Sequence, residues 1–253
     1  MTIQRIIVLP DIHTPNNHEP ALEPIFQFIK FYKPHTFIQL GDFCDWDSVS
    51  SYIPRSEREI VTIDQESDSA NHLLDELDHL LKRCNRKIMV GGNHEDRYAS
   101  FRVNHGMEVQ SRRLRTFTTW QDEYGLSKRG WESCDYGENF QIGKIIFSHG
   151  WFAGNGAAQQ MARCFPGRNV IFGHTHRHLV SSCLDGNDSP IESESIGTLS
   201  NFDLSYLKGK PPVEWIHAFM YIDMHEDGTF SKHFVHVING RFIEYGKVFQ
   251  RAA

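Results

Sequence analysis

Apolar residues along this chain gather in short runs that end where glycine meets aspartate, asparagine or histidine. Ile3 to Leu9 alternates weakly and is rich in Ile and Val, which suits a buried first strand. Between residues 20 and 32, Leu22, Ile25, Phe26, Ile29 and Phe31 fall near helical spacing behind Pro20, so a helix is expected there. His35 to Leu40 reads as a second strand that stops at Gly41-Asp42. After a polar loop, Thr62-x-x-Gln65 has the form of a capping box for a helix over 65–84, where Leu73, Leu77, Leu80 and Leu81 share one face. Lys87 to Val90 is a third short strand, running into Gly91-Gly92-Asn93-His94.

Residues 95–138 are less regular and read as a helical insertion. Phe140 to Ser148 returns to strand, with Gly143-Lys144 as a tight turn. A helix over 156–165 is stopped by Pro166-Gly167, and Asn169 to Phe172 is a strand ending in Gly173-His174-Thr175-His176. Asp185-Gly186 and Asp227-Gly228 then mark hairpins between alternating runs, so the last third is mostly antiparallel strand. No repeat, low-complexity tract or linker interrupts the pattern. Residues 1–253 are expected to form a single α/β domain.

Composition narrows the partners. No run approaches the roughly 18 apolar residues of a membrane span, so no membrane partner is expected. The apolar start is too short for a signal peptide and runs into Pro10-Asp11. The five cysteines, Cys44, Cys84, Cys134, Cys164 and Cys183, are an odd number, widely spread and without a C-x-x-C pair. That argues against a disulfide framework or zinc ribbon and for a reducing, cytoplasmic setting. With 26 basic against 32 acidic side chains, the whole molecule is no electrostatic trap for nucleic acid. The 15 histidines invite a metal hypothesis that only spacing can support.

The spacing supports it. Five polar clusters follow the carboxyl ends of expected strands: Asp11-x-His13, Gly41-Asp42-x-x-Asp45, Gly92-Asn93-His94-Glu95, Ser148-His149-Gly150 and Gly173-His174-Thr175-His176. In layered α/β folds, ligands bind at that edge of the sheet. Carboxylate, imidazole and amide oxygen together suit divalent ions such as manganese, iron or zinc. Glycine in four of the five clusters allows a sharp turn off the strand and close approach of the backbone.

In this order the clusters resemble the D-x-H, G-D-x-x-D, G-N-H-E, G/S-H and G-H-x-H blocks of the calcineurin-like metallophosphoesterase family, compact bacterial or viral type, over residues 5–176. The resemblance implies two packed mixed β-sheets flanked by helices. It also implies two divalent metal ions, manganese first, with iron, zinc or nickel as alternatives. Asp11, His13 and His176 would hold one ion, and Asn93, His149 and His174 the other, with Asp42 bridging both. His94 matches the family's proton donor and Asp45 the partner that orients or charges its imidazole. A hydroxide between the ions would attack the phosphorus in line while His94 protonates the departing oxygen. Purple acid phosphatases carry a tyrosine ligand soon after the G-D block; Phe43-Cys44-Asp45-Trp46 stands there instead, so a tyrosinate-bound ferric site is not expected.

Several residues are left outside that set. His72 and His79 read as solvated on a helix, His233 and His236 as surface or satisfied core, and His178 as a rim residue. Cys44 reads as packing and Glu95 as structural rather than a ligand. Arg97, Arg102, Arg112, Arg113 and Arg115 face one acid, Glu108, and form either a solvated face or a phosphate-binding rim with Trp120 to Trp131 as an aromatic wall. The activity expected is phosphoester hydrolysis, on phosphodiester, nucleotide or nucleic-acid substrates. Protein serine/threonine phosphatase or phosphomonoesterase activity is the alternative, and a partner-binding scaffold is the non-enzymatic one. Oligomeric state stays open.

Overall fold

The computed structural model describes residues 3–50, 61–105, 119–203 and 214–251. In chain order the strands are β1 (Ile3–Leu9), β2 (Thr36–Gln39), β3 (Arg86–Val90), β4 (Trp131–Cys134), β5 (Asn139–Ile142), β6 (Ile145–Ser148), β7 (Asn169–Phe172), β8 (His178–Leu184), β9 (Pro190–Ile196), β10 (Ala218–His225), β11 (Phe230–His236), β12 (Arg241–Glu244) and β13 (Lys247–Gln250). The helices are α1 (Glu19–Tyr32), α2 (Ile63–Leu80), α3 (Asn93–His105), the single turns α4 (Trp120–Glu123) and α5 (Leu126–Arg129), and α6 (Ala157–Cys164).

The two large sheets have the orders β11-β10-β1-β2-β3-β4 and β5-β6-β7-β9-β8, and β12 and β13 form a separate antiparallel pair. Strands β1 to β4 run parallel, and β10 joins β1 antiparallel with Ile6 opposite Ile222. In the second sheet β6, β7 and β9 are parallel, with β5 and β8 antiparallel at the edges. Both sheets are therefore mixed.

Alternation along β1 explains the layering, because successive side chains point to opposite faces. Ile6 and Val8 pack with Ile38 and Ile88 against Phe147, Ile171 and Ile196 of the second sheet. Ile7 and Leu9 face the other way, onto Leu22, Ile25 and Phe28 of α1 and the Leu74–Leu77 face of α2. On the far side of the second sheet, Ile146, Val170 and Phe172 are covered by Ala157, Ala158 and Met161 of α6. The result is helix, sheet, sheet, helix, as the resemblance implies.

The capping box of α2 forms as expected: Thr62 accepts from the Gln65 amide at 3.3 Å, and the Gln65 side chain takes the Thr62 amide at 2.9 Å. The expected helical insertion over 95–138 needs correction. It contains helices, but Trp131–Cys134 is a strand that extends the first sheet beside β3. The expected aromatic wall there is also corrected, since Trp120, Tyr124 and Trp131 are buried in the core beside α2 and β2. Of the arginine-rich stretch, Arg112, Arg113, Arg115 and the side chain of Arg102 lie outside the described residues.

Candidate metal centre

All five clusters meet at one edge of the two sheets. Asp11 follows β1, Asp42 follows β2, Asn93 opens α3 directly after β3, His149 follows β6, and His174 and His176 follow β7. Parallel strands ending at one edge bring together side chains up to 165 positions apart, Asp11 and His176 among them. (176 − 11 = 165.)

The backbone there is strained. His13 (φ 58°), Asp42 (φ 48°), His174 (φ 66°) and His176 (φ 58°) all lie in the left-handed region, as does Trp46 (φ 50°). Each such non-glycine residue costs about 1–2 kcal/mol, and strain of this kind persists where surrounding structure over-determines it, often at functional sites. Two glycines let carboxylates of the site lie where a side chain would stand. A Cβ on Gly92 would collide with Asp42 Oδ1, and a Cβ on Gly173 with Asp11 Oδ1. Here the glycines serve close approach of backbone to carboxylate.

Glu95 is the tie behind this edge. Its buried carboxylate accepts the amides of Asp42 (2.9 Å), Phe43 (3.1 Å), Cys44 (3.3 Å) and Gly92 (2.9 Å), and the Tyr124 hydroxyl at 3.1 Å. It fixes the Asp42 loop against the Asn93 loop, the structural part expected of it. Asp11 similarly accepts the His174 amide at 2.8 Å, and Asp42 Oδ1 the His94 amide at 2.8 Å.

The remaining donor atoms converge in two groups. His176 Nε2 lies 3.0 Å from His13 Nε2 and 3.1 Å from Asp11 Oδ2. His149 Nε2 lies 2.9 Å from Asn93 Oδ1, 3.2 Å from His174 Nδ1 and 3.3 Å from Asp42 Oδ2. Asp42 Oδ2 also faces the first group, 3.9 Å from His13 Nε2. Donors about 2.1 Å from one ion stand about 3.0 Å apart at right angles and about 3.4 Å apart at tetrahedral angles. The observed separations fit one divalent ion within each group.

Outer partners aim these imidazoles. His13 Nδ1 meets Asp45 Oδ1 at 2.8 Å, Asp45 Oδ2 accepts from Asn16 at 2.7 Å, and His149 Nδ1 donates to the Leu40 carbonyl at 2.8 Å. Such partners fix the tautomer that leaves the other nitrogen free for a metal. Electrostatics follow from burial and the three carboxylates. Burial opposes charge on His13, but Asp45, with Asp42 and Asp11, outweighs it and holds the group up at about 9. Burial is likewise outweighed at His149, chiefly by Asp42, and that group also stands at about 9. Burial and the neighbouring His149 push His174 down to about 4, and burial lowers His176 and His94. Asp42 is buried yet held well below the usual carboxylate range by His149, His94 and His13.

One expectation is corrected. The Asp45 carboxylate belongs to His13, not to His94. His94 Nδ1 instead donates to the Asp45 main-chain carbonyl at 2.7 Å, while the carboxylate is 3.6 Å away. His94 Nε2 then points at the site, 3.7 Å from Asp42 Oδ2.

Sequence reasoning missed two aromatic neighbours, and placed a third residue, Arg97, only in a phosphate-binding rim or solvated face. The Trp215 ring stands edge-on to His176 with centroids 4.2 Å apart, and Tyr136 stands 5.9 Å from the His149 ring. Arg97 Nη1 reaches the same Asp45 carbonyl as His94, at 3.3 Å. Only Arg97, three residues past His94, had a signal in the sequence. Elsewhere, His72 and His79 are exposed, His233 stacks on Tyr221, and His178 pairs with Glu194 at 2.9 Å and stacks on Phe234. Cys44 is buried with its thiol on the Glu66 carbonyl, and burial pushes its pKa well up.

A family model described as calcineurin-like phosphoesterase matches residues 4–178. Gene 54 protein of Mycobacterium phage D29 is 26% identical over 271 aligned positions, covering 98% of this chain and 99% of that one. Among solved structures, vacuolar protein sorting 29 of Cryptosporidium parvum is similar with a TM-score of 0.50 at 14% identity, covering 98% of this chain and 95% of that one. Yfce, a phosphoesterase from E. coli, is similar with a TM-score of 0.42 at 14% identity over 91% of this chain and 98% of that one. The chain belongs to the calcineurin-like phosphoesterase family.

Proposed function

We propose that this chain is a dinuclear, divalent-metal-dependent phosphoester hydrolase whose two ions share the Asp42 carboxylate. The observation that carries the reading is the position of Asp42 Oδ2, 3.3 Å from His149 Nε2 in one donor group and 3.9 Å from His13 Nε2 in the other. Asp11, His13 and His176 would hold the first ion, and Asn93, His149 and His174 the second. All-oxygen-and-nitrogen donors favour manganese, with iron, zinc or nickel able to take the same places. Bound there, divalent ions supply neutralisation of phosphoryl oxygens and a lowered pKa for water.

The chain's own residues do the rest. Asp45 and the Leu40 carbonyl hold His13 and His149 in the tautomer that presents Nε2. His94 commits Nδ1–H to the Asp45 carbonyl, so Nε2 is the atom that carries a proton to the departing oxygen. Burial keeps that imidazole neutral in the free protein, and an arriving phosphate anion favours its protonation at Nε2. We assign phosphodiester, nucleotide or nucleic-acid substrates on the strength of the arginines between Arg97 and Arg115. The unpaired cysteines support a cytoplasmic setting and residues 1–253 acting as one domain fit the continuous core. A scaffold role is disfavoured by the left-handed backbone at His13, Asp42, His174 and His176, a cost that partner binding alone has no use for.

Metal titration tests this reading. His13 and His149, both at about 9, carry protons at neutral pH in the metal-free protein and must lose them to become ligands. Calorimetry at pH 7 in buffers of different ionisation enthalpy should therefore show two ions bound per chain with about two protons released. Affinity should rise as pH rises towards 9 and fall on acidification. Phosphodiester hydrolysis should appear only at loadings above one ion. One ion per chain, or binding indifferent to pH, would contradict the dinuclear assignment.

A further inference from the structure

A second charged feature lies at the opposite edge of the first sheet. The turns α1–β2 and α2–β3 sit side by side there and enclose a cavity of about 280 Å³. Ile29, Pro34, Leu80, Leu81 and Cys84 give it an apolar floor, and Lys30, Lys33, Lys82 and Arg83 stand around its rim. Residues 24–35 and 79–87 together contain six Lys or Arg and no Asp or Glu, in a chain of net charge −6. Two of the six are neutralised: Arg86 pairs with Glu132 and Lys87 with Asp78. The acids flanking the two stretches are turned elsewhere, Glu23 towards Arg251 and Asp78 towards Lys87 and Arg129.

The four rim cations are exposed, and their side chains make no hydrogen bond or ion pair among the described residues. Complementing helix dipoles accounts for a cation in a last turn, such as Lys30 in α1. Lys33 is the C-cap of α1, but Lys82 and Arg83 lie past Leu81, the C-cap of α2, where the dipole gives less reason for a cation. Like charges around one cavity repel one another, and an anion between them relieves that repulsion.

We propose that this cavity is a docking site for a nucleic-acid strand, with phosphates on Lys30, Lys33, Lys82 and Arg83 and a base against the aliphatic floor. The chemistry selects that occupant. A strand offers anions at regular intervals with flat apolar faces between them, matching a cationic rim around an apolar floor. With aliphatic floor residues and no directed acceptor, such binding would be sequence-tolerant. Strand β2 leads from Lys33 and Pro34 at this edge to Asp42 at the other, on the order of 25 Å at 3.3 Å per residue. The site is thus separate from the metal centre, and its binding does not depend on the reaction proposed there.

The test is fluorescence anisotropy of the metal-loaded protein with a labelled single-stranded oligonucleotide of phosphorothioate backbone, titrated against salt. The variant carries Lys30→Glu and Lys82→Glu, both at exposed positions outside the catalytic machinery. Affinity at low salt should fall at least about tenfold. The slope of log affinity against log salt should flatten by about 1.4, at about 0.7 per lost single-strand phosphate contact. Lys30→Arg with Lys82→Arg should keep both quantities, and hydrolysis of bis(p-nitrophenyl) phosphate should be unchanged in either variant. Affinity and slope equal to wild type in the Glu variant would overturn the proposal. So would displacement of the oligonucleotide from this site by poly-glutamate or anionic vesicles at equal charge concentration, which would point to an acidic protein or a membrane surface.

Discussion

Replacing Asp42 by asparagine is expected to lower occupancy at both metal sites together and to reduce phosphodiester hydrolysis by about 10³-fold or more. Outer-shell partners alone are commonly worth about 10–100-fold in metal affinity, and Asp42 stands between the two donor groups themselves. Asparagine keeps the size and one oxygen but removes the charge that His13, His94 and His149 surround. It also leaves those three buried imidazoles around a neutral amide. Their protonation is then less favourable, so the variant should bind fewer protons as well as fewer ions. His13→Ala should differ by weakening chiefly the first site, since His13 belongs to the group with Asp11 and His176. Elemental analysis after dialysis checks the pair of variants. Two ions retained at full occupancy in Asp42→Asn would count against the shared carboxylate.

His94→Gln is expected to separate substrates by their leaving groups. A sugar-like or serine-like alkoxide is too basic to depart unprotonated, whereas p-nitrophenolate is a stable anion near neutral pH. The variant should slow alkyl phosphoesters by about 10²–10⁴ and p-nitrophenyl esters far less. Metal content should stay near wild type, because His94 Nε2 faces Asp42 across 3.7 Å without joining either tight donor group. Asp45→Asn should not mimic it. That carboxylate orients and charges His13, so its loss should weaken metal binding for every substrate alike. The main-chain carbonyl that holds His94 remains in the variant. Equal slowing of both ester types by His94→Gln, with both ions bound, would turn His94 from proton donor into a phosphate-holding residue.

The contrast between these variants marks where sequence reasoning stops. Asp11, His13, Asp42, Asn93, His149, His174 and His176 can be picked out because each follows an apolar run and sits beside glycine or another donor. Parallel strands then do the assembly. Asp45 is three residues from Asp42 and was expected on His94; which imidazole its carboxylate meets depends on the left-handed turns at Asp42 and Trp46, which no side-chain pattern announces. Strand β4 was hidden for a different reason. Trp131-Glu132-Ser133-Cys134 has one buried residue followed by exposed and half-buried ones, so it has no apolar alternation to read. The hairpin of β12 and β13 is short too, but its Phe242 and Phe249 close over Phe28 of α1, a contact made only once the fold brings the chain's ends together. Trp215, beside His176, is likewise a neighbour only in three dimensions.

The account rests on two ions joined through one carboxylate, and electron paramagnetic resonance of the manganese-loaded protein reads that directly. At saturation the spectrum should be that of an exchange-coupled pair, and it should give way to isolated ions at partial loading and in Asp42→Asn. A spectrum of isolated manganese at full loading, with wild type and Asp42→Asn alike, would contradict the shared Asp42 bridge.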